Sequence, residues 1–345
     1  VDILNKFMTN NKTILVTGGA GYVGSTLVPY LLKKGYHVAI LDIFLYGRES
    51  LSDVIDQIDI YEIDLLKADY QDLFNLLKNN KIDGIIHLAG ASKEPSATIS
   101  NRYVLELNYL ATKNLAKAAK AASIKKFVFA STCSVYFSYS LPKISPGNEL
   151  WEIEKELPQK KETDEINPIS PYSISKRACE EFLLSLADEN FTPIILRKGT
   201  IFGLSPRMRF DLVLNALVKT SFFNNKMTVL QDIYRPLVDV KTVAQAYEQA
   251  LHLDRPDIIN VVDLNISLPE LAQKIAEILQ IKPEIEIRKV DVERNYRASA
   301  EKFNQMFKIE RRPLDVAVKE IWDFLEKNPE DKPIYYNQKY EGAFS

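Results

Sequence analysis

Residues Thr13–Gly24 read TILVTGGAGYVG. The apolar run Ile14–Val16 ends at Thr17 and passes directly into glycines at 18, 19, 21 and 24, after which a helical pattern runs to about Lys34. The order is strand, tight glycine turn, helix start. Such a turn needs residues that tolerate positive φ and place no Cβ near a ligand. The helix start presents unpaired N–H groups and the positive end of a dipole, which suits a pyrophosphate. The spacing Gly18, Gly21, Gly24 is weak evidence alone, so the context must carry it. A second strand, His37–Leu41, follows and ends in Asp42, where a carboxylate takes the ribose hydroxyls of an adenosine. A carboxylate repels a 2′-phosphate, so Asp42 favours NAD, and nearby Arg48 leaves NADP as the alternative.

Working outward, strands are expected at Thr13–Val16, Val38–Leu41, Ile58–Ile63, Ile85–Leu88 and Phe127–Ala130. Helices are expected at Tyr22–Lys34, Tyr70–Lys78 and about 99–122. Alternating β and α implies an α/β fold with a doubly wound parallel sheet, Rossmann-like. In such sheets ligands lie beyond the carboxyl ends of the strands. That places the turn residues Gly18, Gly21, Tyr22, Val23 and Gly24 against the dinucleotide. Asp42 follows the second strand, Asp64 and Leu65 the third, and Ala89 and Gly90 the fourth. His87 reads as a buried strand residue rather than a base.

Tyr172 and Lys176 stand one helical turn apart in YSISK, on one face. A neighbouring ammonium lowers a phenol's pKa, so Tyr172 is expected to serve as a base near neutral pH, with Lys176 also bonding the nicotinamide ribose. Thr132 follows the fifth strand and is the expected third member, with Ser131 and Ser134 as rivals. No metal site is expected.

The chain has 345 residues, 46% of them hydrophobic, which calls for two lobes. The net charge is -2 with both signs interspersed, so no nucleic-acid or membrane footprint exists. Only Cys133 and Cys179 occur, no run reaches bilayer length, and the first residues are too short and polar for a secretory signal. The expected location is cytoplasmic. The dinucleotide-binding domain is expected over 9–197, completed by about 235–262. A smaller α/β C-terminal substrate-binding lobe is expected over 198–234 and 263–327, and 328–345 as a tail. The long polar stretch 138–171 reads in part as a lid.

Together, TGGAGYVG, Asp42, Asp64, HLAG (87–90), Asn108 within LELNYLAT, ASTCSVY, YSISK, RKGTIFG (197–203) and RPLVDV (235–240) resemble the extended short-chain dehydrogenase/reductases of the NAD-dependent sugar-nucleotide epimerase/dehydratase family. The resemblance covers roughly 12–327. It implies hydride exchange between NAD and a sugar carbon, and Asn108 beside the cofactor. It further implies Thr132 and Ser134 at the sugar, a nucleoside diphosphate held by Arg235, with Arg207 and Arg294 as further candidates, and a homodimer formed through the helices at 99–122 and from Tyr172. The family's 4,6-dehydratases resemble Thr-Asp-Glu where this chain has Thr132-Cys133-Ser134. Water loss needs an acid and a base there, so epimerisation through a keto intermediate is expected instead. A net oxidoreductase with the same triad and a non-catalytic NAD-binding protein are the alternatives.

Overall fold

The computed structural model describes residues 11–91, 101–136, 157–231, 233–289 and 295–337. The first half alternates as its hydrophobic pattern requires. In order come β1 (Thr13–Thr17), α1 (Gly24–Lys33), β2 (His37–Asp42), β3 (Asp59–Glu62), α2 (Tyr70–Asn79), β4 (Gly84–His87) and α3 (Asn101–Leu105). A π-helical segment, Glu106–Leu110, joins α3 to α4 (Ala111–Ala121), and β5 (Lys126–Thr132) follows. Then come β6 (Gln159–Lys160), α5 (Pro171–Ser185), β7 (Thr192–Lys198), β8 (Thr200–Phe202), α6 (Val213–Asn224), β9 (Lys226–Leu230), β10 (Tyr234–Asp239) and α7 (Val240–Ala250). β11 (Asp257–Val261), β12 (Leu264–Ser267), α8 (Leu268–Leu279), β13 (Glu284–Arg288), β14 (Arg297–Ala298), α9 (Glu301–Met306) and α10 (Leu314–Lys327) complete the chain.

Seven strands form one parallel sheet in the order β11-β7-β5-β4-β1-β2-β3. The order reverses beside β1, so the glycine turn sits at the switch point. Successive strand side chains alternate between faces. Ile14 and Val16 pack with Leu27, Val28 and Leu31 of α1 and Val243 and Tyr247 of α7. Leu15 packs on the opposite face with Leu73 and Leu77 of α2, Leu115 of α4 and Leu183 of α5. The doubly wound α/β fold is as the alternation predicts.

A second core joins α6, α8 and α10 around Leu217, Leu271 and Ile321. Here β10 pairs parallel with β8 and antiparallel with β12, and β9 pairs with β13. The short strands β8 and β12 carry too few residues to show a period, and the sequence reading lacks them. Of the stretch 138–171, residues 138–156 lie outside the described residues. Its far end is stitched down: β6 pairs with β14, and Asn260 N–H donates to the Glu162 carboxylate at 2.8 Å. Residues 333–337 do not hang loose as a tail. Tyr335 is buried against Phe210 and Phe324, because its ring finds an apolar socket that only the folded lobe supplies. No helix among the described residues is long and apolar enough to cross a membrane.

Candidate active site

The groove begins at the turn after β1. Gly18 adopts φ +72°, and a Cβ there would meet the Ala89 nitrogen at 2.8 Å. A Cβ on Gly24 would collide with the Gly18 carbonyl oxygen. The backbone therefore folds back on itself so tightly that only hydrogen fits, which bares the α1 N-terminus to the groove. Asp42 closes the next strand end. Its carboxylate accepts from Ala20 N–H at 2.9 Å and Phe44 N–H at 2.8 Å, so it is locked to the glycine turn. Burial raises its pKa, and those two N–H groups oppose the rise. Arg48 faces away, over the Phe44 ring at 4.3 Å and in an ion pair with Glu62.

One cavity of about 350 Å³ runs along the carboxyl edge of the sheet. Gly18, Gly21, Tyr22, Val23 and Gly24 line it at one wall, Asp42, Asp64 and Leu65 at the β2–β3 end, and Ala89 and Gly90 in the middle. Thr132, Ser134, Tyr172, Lys176 and Arg207 line it as well. Asn108 stands just behind: its side chain accepts from Ala91 N–H at 2.8 Å and donates to the Ser175 hydroxyl at 2.9 Å. The π-helical turn carries it there, a departure from regular helix that periodicity does not announce. Arg235 is half-buried on β10, donates to the Tyr234 carbonyl at 2.8 Å and is not among the residues lining the cavity. Arg294 lies outside the described residues.

Tyr172 and Lys176 owe their places to the start of α5. Ser170 caps that helix, accepting from Ser173 N–H at 3.1 Å, while the Ser173 hydroxyl accepts from Ser170 N–H at 3.1 Å. Pro171 takes the first position, where its missing donor costs nothing. Beneath, the buried Glu180 carboxylate accepts from Arg197 at 2.7 and 3.0 Å and from the Ser131 hydroxyl. This network ties α5 to the ends of β5 and β7.

The electrostatics correct one expectation. The Tyr172 phenol is not lowered by Lys176. Burial pushes it up to about 12, a hydrogen bond with Thr132 and the Arg209 guanidinium oppose the rise, and Tyr296 adds to it. The Lys176 amine is turned to the Phe129 ring, 4.7 Å from its centroid, and burial lowers its own pKa. One helical turn brings two side chains to one face without setting where their tips point, and burial dominates at this phenol. His87 is a buried strand residue, held by Thr17 at 2.7 Å and Thr112 at 2.9 Å and lowered to about 3 by burial. Cys133 has its thiol buried against the Arg197 carbonyl at 3.1 Å and pushed up by desolvation.

Several lining residues escaped the sequence reading. Arg209 pairs with Asp211 at 2.7 Å, and Tyr46 stacks under Arg207 at 3.7 Å. Tyr296 meets the Ser134 hydroxyl at 3.3 Å, and Lys198, Tyr247 and Asn337 also line the cavity. Lys198 alone left a signal, a charge at the end of an apolar strand. Tyr46 and Arg209 stand beside Asp42 and Arg207 in sequence but belong to loops with no period, and Tyr247, Tyr296 and Asn337 come from distant segments.

The model of the family described as the NAD dependent epimerase/dehydratase family matches residues 14–262. A UDP-glucose 4-epimerase of Bacillus subtilis is 29% identical over 259 residues, 73% of this chain and 70% of its own length. A dTDP-D-glucose 4,6-dehydratase of Dictyostelium discoideum is 28% identical over 280 residues, 77% of this chain. The chain spans 62% of the length of that dehydratase. In fold, the chain is similar to a UDP-N-acetylglucosamine 4-epimerase from Methanobrevibacter ruminantium, solved with UDP-N-acetylmuramic acid. The TM-score is 0.78 at 22% identity, covering 92% of this chain and 99% of that one.

Proposed function

The chain belongs to the NAD-dependent epimerase/dehydratase family, and from that premise we propose that it epimerises a nucleoside-diphosphate sugar through a keto intermediate. One observation carries the reading: Thr132, Tyr172 and Lys176 line a single cavity with the glycine turn and Asp42. The residues present fit a dinucleotide, since the turn admits no Cβ and a carboxylate stands at the β2 end.

Gly18, Gly21, Tyr22, Val23 and Gly24 form the pyrophosphate wall. Asp42 receives the adenosine ribose hydroxyls, and Asp64 and Leu65 border the adenine. Ala89, Gly90 and Asn108 shape the middle of the groove. Lys176 bonds the nicotinamide ribose. NAD is favoured over NADP because Asp42 is fixed at the ribose end while Arg48 is committed to Phe44 and Glu62. When bound, NAD supplies the hydride acceptor and donor.

Tyr172 takes the sugar hydroxyl proton as hydride leaves the carbon and returns it on reduction. Thr132 and Ser134 hold that hydroxyl in reach. Of the three arginines, Arg207 lines the cavity and receives the diphosphate there, where paired charges gain strength from burial. Arg235, outside the lining, and Arg294 keep that role on the family resemblance alone. Dehydration is disfavoured because Cys133 is turned into the core and Ser134 is not ionisable, so neither position offers the required acid or base. The same reading places two copies side by side through α3, α4 and α5.

Mass spectrometry of small molecules released from the denatured protein tests cofactor and nucleotide together. NAD and a nucleotide sugar are expected. Turnover is expected without added NAD or NADH, and a stoichiometric demand for either converts the reading to a net oxidoreductase.

A further inference from the structure

Lys198 ends β7, the strand flanking β5 on the side away from the glycine turn. Its side chain lines the same cavity as Thr132, Tyr172 and Lys176. Its amine donates to the Ser131 carbonyl oxygen at 2.8 Å and to the Tyr247 hydroxyl at 3.0 Å. Both partners are neutral. The titratable groups facing it are Lys176 from α5, the Cys133 thiol after β5, and Tyr247 from α7, which in turn faces Tyr172. No ion pair holds it among the described residues. Two amines thus share one cavity end, and among the described residues no carboxylate pairs with this one. Burial and the repulsion from Lys176 both favour loss of its proton.

Asp42 marks the adenosine end at β2, so the reactive ring of a dinucleotide lies across the switch point, toward β5 and β7. Oxidised and reduced nicotinamide differ there by one positive charge. An amine without a counter-ion is the group that answers such a difference.

We propose that Lys198 senses the charge of the bound nicotinamide: its amine releases a proton when the oxidised, cationic ring binds and keeps it when the reduced, neutral ring binds. The inference rests on the reading that this groove holds NAD. In a half-reaction the sugar loses a hydride, carrying two electrons, to the ring, and its hydroxyl proton goes to Tyr172. Lys198 then takes a proton from solvent and returns it when the hydride goes back. Lys198 thereby favours the keto sugar and reduced cofactor as pH falls.

Titration calorimetry of the full chain, freed of nucleotide, with NAD+ and with NADH tests this. It is run from roughly pH 6 to 9 in two buffers of different ionisation heat, which counts protons. NAD+ binding is expected to release protons that NADH binding does not. The NAD+ affinity relative to NADH is expected to rise with pH by up to about tenfold per unit. Lys198→Met is expected to lose both effects. Lys198→Arg, permanently charged, is expected to weaken NAD+ at every pH and flatten the ratio. Tyr247→Phe, which removes one acceptor from the ammonium, is expected to move the transition to lower pH and provides a reading if Lys198→Met fails to fold. Wild-type proton release and slope in Lys198→Met would assign the effect to Lys176 or Tyr172 and overturn the proposal. An unmoved transition in Tyr247→Phe counts against it equally. Failure of the wild type to bind either nucleotide would remove the NAD reading itself.

Discussion

Tyr172 shows how desolvation and charge compete at a single phenol. Burial holds it up to about 12, and among the described residues Thr132 and Arg209 act in the other direction. Without a further cation the phenol stays protonated at neutral pH and is a poor base. An oxidised nicotinamide beside it would favour the phenolate. Adding NAD+ is therefore expected to bring the Tyr172 titration below about 12, whereas NADH is not. Ultraviolet difference spectra against a Tyr172→Phe reference read this, and an unchanged midpoint would place the ring elsewhere. Tyr172→Phe is also expected to lower kcat by about 10²–10⁴-fold, the usual worth of a positioned acid/base, with retained NAD measured on the same sample. Loss of NAD along with activity would make the residue structural.

The first turn of α5 does for the site what no single side chain can. Ser170 and Ser173 satisfy each other's backbone donors and set the helix entry one residue ahead of Tyr172. Ser170→Ala is expected to cost about 1 kcal/mol of stability, read from denaturant unfolding, and to raise KM before it lowers kcat. The helix carrying Tyr172 and Lys176 was legible because its period is local, although its serine cap went unread. The glycine turn was legible for the same reason. The break in the helix at 106–110 was not, because a π turn is imposed by the partners of Asn108, Ala91 and Ser175, and these lie far off in sequence.

Across the molecule, α3, the π-helical turn and α5 leave Leu105, Leu110 and Ile174 exposed at 39%, 44% and 43%. These elements contact one another, and exposed apolar side chains on them are what the proposed pairing of two copies would cover. Leu110→Glu is expected to shift a dimer to monomer in sedimentation velocity. A monomeric wild type would dismiss the pairing.

The residues alone determined the alternation of strand and helix, the glycine turn at its head, the acid at the second strand end and the Tyr–Lys spacing. Each is written in neighbours along the chain, where sterics, period and capping act. Tertiary structure decided the rest. It turned Lys176 toward Phe129, raised the Tyr172 phenol, left Lys198 without a counter-ion among the described residues and brought Tyr296 and Asn337 to the cavity. Burial and pairing depend on what lies across space, and nothing local in a sequence states how much water a side chain will lose.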